Sequence, residues 1–185
     1  MGVDRRLVYW VIFLSFVGSY VNIPLYRLPA EHVVSGTVVE FFGTQYVVPI
    51  VEQWPSTVVA INVGGALVPT LLSIYLIIKN ALSWQTVLGV GAVTLIVHQV
   101  AHPVPGVGIA EPVFVPPIVA AAVALLLSRR SAPALAYVSG SLGTLIGADL
   151  LNLDKIQGLG APVAAIGGAG TFDGIFLTGT LAVLM

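Results

Sequence analysis

The chain has 185 residues, of which 57% are hydrophobic and 8% charged, with a formal net charge of −1 and a mean hydropathy of +1.01. Soluble domains carry about 25% charged residues, so fifteen charges exclude a soluble enzyme and a disordered chain, which needs charge and little apolar content. Seven basic residues against eight acidic ones form no basic patch for nucleic acid, and zero cysteines exclude disulfides and thiolate chemistry.

The composition predicts an all-α polytopic membrane protein, since a spanning helix needs roughly 20 mostly apolar residues. In chain order the expected helices are 7–25, 57–78, 86–100, 111–128, 132–151 and 162–185. The first follows Asp4-Arg5-Arg6 and is too long and aromatic for a cleaved signal peptide. Between it and the second, residues 30–54 hold β-branched runs around Phe41-Phe42-Gly43-Thr44-Gln45. They predict a small β-hairpin outside the bilayer, because an open sheet edge does not survive in lipid. Pro162 suits the first turn of the last helix.

With about six crossings, Arg5, Arg6, Lys79, Arg129 and Arg130 fall on one side. The positive-inside rule makes that side the cytoplasm, with both termini there and the hairpin outside. The expected location is the cell membrane and the expected partner is the bilayer. The oligomeric state stays open.

Glycines interrupt two helices, at Asn62-Val63-Gly64-Gly65 and at Gly167-Gly168-Ala169-Gly170. Close helix packing accounts for such glycines. So does a broken helix with exposed backbone at a buried site.

A carboxylate within a membrane helix costs at least about 2.5 kcal/mol on insertion scales. Asp149 and Asp173 are the two acids inside apolar helical sequence, on consecutive helices and flanked by glycines, Gly174 among them. Two carboxyls about 3 Å apart share one proton. The neutral acid then polarises a carbonyl while the carboxylate activates water, which is aspartyl-protease chemistry on a membrane-embedded peptide. Depth sets a condition. Asp149 is about 28 Å beyond Arg130 along a helix, whereas Asp173 is about 16 Å beyond Pro162. The two meet only if residues 162–170 are not a simple inward helix. The other reading of each aspartate is a buried acid bonded to a neighbouring helix.

His98 and His102, four apart, share a face if one helix carries both. With Glu111 and Asp149 they make a possible divalent-metal site, although His-Gln-Val-Ala-His lacks the glutamate base of metalloprotease helices. No other cofactor is expected. A small-solute or cation transporter or channel using these groups, and a non-catalytic membrane module, are the competing functions.

The run from Ser131 to Leu153, with Gly167-Gly-Ala-Gly-Thr-Phe-Asp-Gly-Ile-Phe-Leu-Thr-Gly179, resembles the DUF1614 family of prokaryotic membrane proteins, and Ile61–Pro69 and Phe114–Pro117 extend the likeness. The family name implies no activity. More distantly, Gly170–Gly179 is similar to the second-aspartate segment of the presenilin and signal-peptide-peptidase class. That likeness implies Asp149 and Asp173 as a catalytic pair. Phe172 stands where that class has a glycine, and Ala148 where it has a tyrosine.

Overall fold

The computed structural model describes residues 5–41, 44–54, 56–80, 84–106, 108–157, 159–168 and 175. Its helices are α1 (Arg5–Gly18), α2 (Val68–Lys79), α3 (Trp84–Val100), α4 (Val115–Leu127) and α5 (Ala132–Thr144). A π-helical turn, Val63–Leu67, leads into α2, and a second, Leu145–Asp149, followed by a 3-10 segment, Leu150–Lys155, continues α5. The strands are β1 (Asn22–Arg27), β2 (Glu31–Phe41), β3 (Thr44–Trp54), β4 (Val58–Asn62), β5 (His102–Val104), β6 (Gly108–Ala110) and β7 (Val163–Ile166).

The helices pack through small residues. Val93 and Val97 of α3 meet Ala120 and Ala124 of α4 and Leu135 and Ala136 of α5 in one buried cluster. Where α5 passes into its π turn, a Cβ on Gly143 would stand 2.6 Å from that of Val93, and one on Gly147 2.6 Å from the Thr94 carbonyl oxygen. Only glycine permits that approach. Ala132–Lys155, at 24 residues, is long and apolar enough to cross a membrane, whereas Val63–Lys79, Trp84–Val100 and Val115–Leu127 are shorter apolar helices.

Beside the helices, the described residues form three small sheets, of which the expected hairpin is one. β4 is the centre of a three-stranded sheet. It runs antiparallel to β1, from Asn22↔Asn62 to Arg27↔Val58, and parallel to β7, from Val58↔Val163 to Ile61↔Ile166. Pro24 lies in β1, an edge strand with a register shift beside it, where a missing N–H is tolerated. β2 and β3 pair from Glu31↔Trp54 to Phe41↔Thr44, the hairpin expected over 30–54. β5 and β6 form a second, shorter hairpin.

The sheet shortens the expected helices. The first ends at Gly18, where the Ser19 hydroxyl donates to the Phe16 carbonyl. Residues 58–62, expected in the second, are β4. A short β-branched run has no period to distinguish strand from helix, and here pairing on both edges decides it. The fourth begins at Val115, with Pro116 and Pro117 in its first turn. The start expected for the last helix at Pro162 is replaced by β7.

Asn62 joins these elements. It is fully buried. Its Oδ1 accepts from the Gly65 N–H at 2.7 Å and caps the π turn. Its Nδ2 donates to the Ser19 carbonyl at 2.7 Å and to Asn22 Oδ1 at 2.9 Å. One amide thus satisfies the end of α1, the start of β1 and the entry to α2. Asn62→Ala leaves these groups unpaired at about 1–3 kcal/mol each, and the thermal midpoint in detergent falls accordingly. Asn62→Asp keeps the cap but loses both donated bonds, so it recovers only part of the loss.

Candidate functional site

The second π turn ends at Asp149, where the chain tightens into the 3-10 segment. Such breaks often mark functional positions, and this one is held by side chains. Asn152, fully buried, donates through Nδ2 to the carbonyls of Gly147 at 3.0 Å and Ala148 at 2.8 Å. Its Oδ1 accepts from Lys155 Nζ at 2.7 Å. His98 Nδ1 lies 3.3 Å from the Gly147 carbonyl oxygen and 3.3 Å from Asn152 Nδ2.

From this break Asp149 reaches the end of β7. Its Oδ2 accepts from the Gly167 N–H at 2.7 Å. Gly167 and Gly168 both have positive φ, +88° and +81°, which glycine adopts without strain. A Cβ on Gly167 would stand 2.6 Å from the backbone N of Ala66 and 2.8 Å from the carbonyl carbon of Gly65. The two glycine-rich interruptions of the sequence therefore lie against each other, and Asp149 is tied to one of them. Residues 163–168 are a strand and a turn, not an inward helix.

Asp149 also lines a cavity of about 310 Å³. The β5–β6 hairpin and its exit supply Ile109 and Glu111, the α5 continuation supplies Thr144 and Asp149, and β7 supplies Ala164 and Ile166. Ile175 lines the same cavity and is helical. Thr144 is fully buried, and its hydroxyl has no hydrogen-bond partner among the described residues.

Of the site residues expected from sequence, Asp149, Gly167 and Gly168 come together here, and Asn62 caps the π turn behind Gly167. Asp173, Gly170 and Gly174 lie outside the described residues. His98 and His102 do not share a helix face. The helix ends at Val100 and His102 opens β5, exposed, with Nδ1 3.1 Å from the Val100 carbonyl oxygen. Pro103 next in the chain blocks continuation. Neither histidine lines the cavity. Among the described residues no group of three or more His, Asp or Glu is gathered for a metal. Thr144 and Asn152 are additions that sequence reasoning did not assign to the site. Glu111, expected together with Asp149, His98 and His102, lines the cavity with Asp149 and without either histidine.

No curated protein and no solved structure matches the chain. The model of the family described as "Protein of unknown function (DUF1614)" matches residues 16–185, and the protein belongs to that family.

Proposed function

We propose that the protein is a membrane-embedded aspartyl hydrolase that cleaves a transmembrane peptide, with Asp149 and Asp173 as its carboxyl pair. The observation that carries this reading is that Asp149 and Ile175, two positions past Asp173, line one cavity. In this reading the pair shares a proton. The oxygen Oδ2 accepts from the Gly167 N–H, so the shared proton sits elsewhere in the pair. The ionised carboxyl takes a proton from water as its oxygen bonds to the scissile carbonyl carbon. The protonated carboxyl polarises the carbonyl and the proton taken from water passes to the leaving amide nitrogen. The distant presenilin-like character of Gly170–Gly179 is consistent with this role.

The setting is a cell membrane. Large apolar side chains face outward on the helices, with Ile78 75% exposed, Val87 71% and Leu126 86%, and outward apolar surface on this scale suits lipid rather than water. Arg5, Arg6, Lys79, Arg129 and Arg130 then face the cytoplasm and the β2–β3 hairpin faces the other side.

The test reconstitutes the purified full chain in liposomes with transmembrane reporter peptides and maps the products by mass spectrometry. Cleavage within the apolar segment, blocked by a transition-state-analogue aspartyl inhibitor, is the expected result. A folded protein that neither cleaves nor binds the inhibitor sinks the reading. Solute or cation transport is the second reading, favoured by two acidic residues lining one cavity.

A further inference from the structure

We propose that the outer edge of β2 pairs with the β2 of a second copy of this chain, antiparallel and centred on Gly36, making a four-stranded sheet across a two-fold axis. β2 and β3 are a sheet of their own, with 11 residues in each strand. Among the described residues neither strand has a partner strand on its other edge. A two-stranded hairpin is marginal alone, and an unpaired edge offers a row of N–H and C=O groups to another strand.

Pro49 makes the two edges unequal. It stands opposite Gly36 in the ladder. Proline has no N–H, and in a sheet its nitrogen belongs on an edge, turned away from the ladder. The missing donor therefore falls on the outer edge of β3 and blunts it. Residues paired without mutual hydrogen bonds turn their backbone polar groups outward, so Gly36 presents its own N–H and C=O at the outer edge of β2. By the two-residue period of a strand, positions 32, 34, 38 and 40 do the same. No proline interrupts β2. One open edge and one blunted edge give a closed pair rather than an open-ended fibre.

The sequence of β2 points to its own copy as the occupant. Val33-Val34-Ser35-Gly36-Thr37-Val38-Val39 reads almost the same in both directions. When two copies run antiparallel with Gly36 opposite Gly36, serine falls opposite threonine and valine opposite valine. One step further, the histidine at 32 falls opposite the glutamate at 40, and the two-fold axis repeats that pair. Serine–threonine and opposite-charge pairs both favour antiparallel strands. Within the hairpin His32 is opposite Gln53 and Glu40 opposite Gln45, so its own ladder sets neither charge against another. A slip of two residues either way loses both histidine–glutamate pairs, and the charges therefore also fix the register. The pairing is independent of the hydrolase reading, because no residue of β2 lines the Asp149 cavity.

Sedimentation equilibrium of the purified full chain in density-matched detergent, over a wide range of protein concentration, reads the mass. A monomer–dimer equilibrium is expected. His32→Glu sets glutamate opposite glutamate, and Glu40→Lys sets lysine opposite histidine. Each weakens the dimer by about tenfold, and the double variant, with the charges exchanged, returns to within about threefold of wild type. The chain has no cysteine, so Gly36→Cys provides one thiol per chain, which a short bis-maleimide joins to its equal in the second copy. That variant carries the test if the charge variants do not fold. A monomer at every concentration overturns the proposal, and so do oligomers that keep growing with concentration. A dimer unchanged by both single charge variants in folded protein overturns it too, as does a double variant no tighter than the singles or a Gly36→Cys dimer that does not cross-link.

Discussion

If the chain is the proposed hydrolase, Asp149→Asn lowers peptide cleavage by about 10²–10⁴-fold, the span of general acid–base catalysis, while the folded state keeps most of its stability. Asparagine has nearly the shape of aspartate, and its amide oxygen can still accept the Gly167 N–H that Asp149 takes at 2.7 Å. The contact between the α5 continuation and the end of β7 therefore survives. What disappears is the group that, in the proposed reaction, takes a proton from water and returns it. Asp173→Asn is expected to give a loss of the same order, and the double variant to be scarcely worse than either single one, because in the proposed mechanism the two carboxyls act as one unit. Asp149→Leu loses activity and stability together, since the Gly167 N–H is left without its acceptor. Initial rates on a transmembrane reporter, read beside thermal midpoints, separate these cases. A rate in Asp149→Asn above about a tenth of wild type would be incompatible with the role assigned to this residue.

Gly64→Ala is the most damaging small substitution expected in the scaffold, at about 3 kcal/mol or more. A Cβ there would lie 1.9 Å from the Ser15 carbonyl oxygen and 2.4 Å from the Ser19 N. Both are backbone atoms, so no rotamer change relieves the overlap. On the other side of the crossing, a Cβ on Gly18 would stand 2.9 Å from the Gly64 N. Separating α1 from the first π turn also breaks the bond from Asn62 to the Ser19 carbonyl. Gly91→Ala is the control. Nothing lies within 4 Å of a Cβ at Gly91 in α3, so the methyl group fits and helix propensity gains up to about 1 kcal/mol. Thermal denaturation of both variants in one detergent reads the contrast. Equal midpoints would refute the close crossing of α1 and the π turn.

The apolar stretches 84–100, 115–127 and 132–144 were legible in the sequence because each is long enough to exclude a strand. The hairpin of β2 and β3 was legible from its β-branched runs. β4 and β7 were not. Each has five or fewer residues, too short to show a period, and one of the two partners of β4 is about a hundred positions away. The glycine clusters at 64–65 and 167–168 marked irregular backbone, but composition does not say that Gly167 packs against Gly65 and Ala66. The four-residue spacing of His98 and His102 implied one face only while the helix continued. Thr144 carries no sequence signal at all. Its hydroxyl has no hydrogen-bond partner among the described residues, which follows from packing and not from residue type.

The parallel pairing of β4 with β7 also sets an order of assembly. β4 can pair with β1 as soon as residue 62 is made, but its second edge waits for residues 163–166. At about 5–20 residues per second, that interval is on the order of 5–20 s of synthesis. The Asp149 to Gly167 hydrogen bond belongs to the late step. Helices α2 to α5 are joined by local connections that close early, whereas bringing distant strands together costs loop entropy before any contact repays it. The carboxylate therefore acquires its fixed position after most of the bundle has formed, and a nascent chain halted before residue 167 carries Asp149 without the backbone donor that holds it.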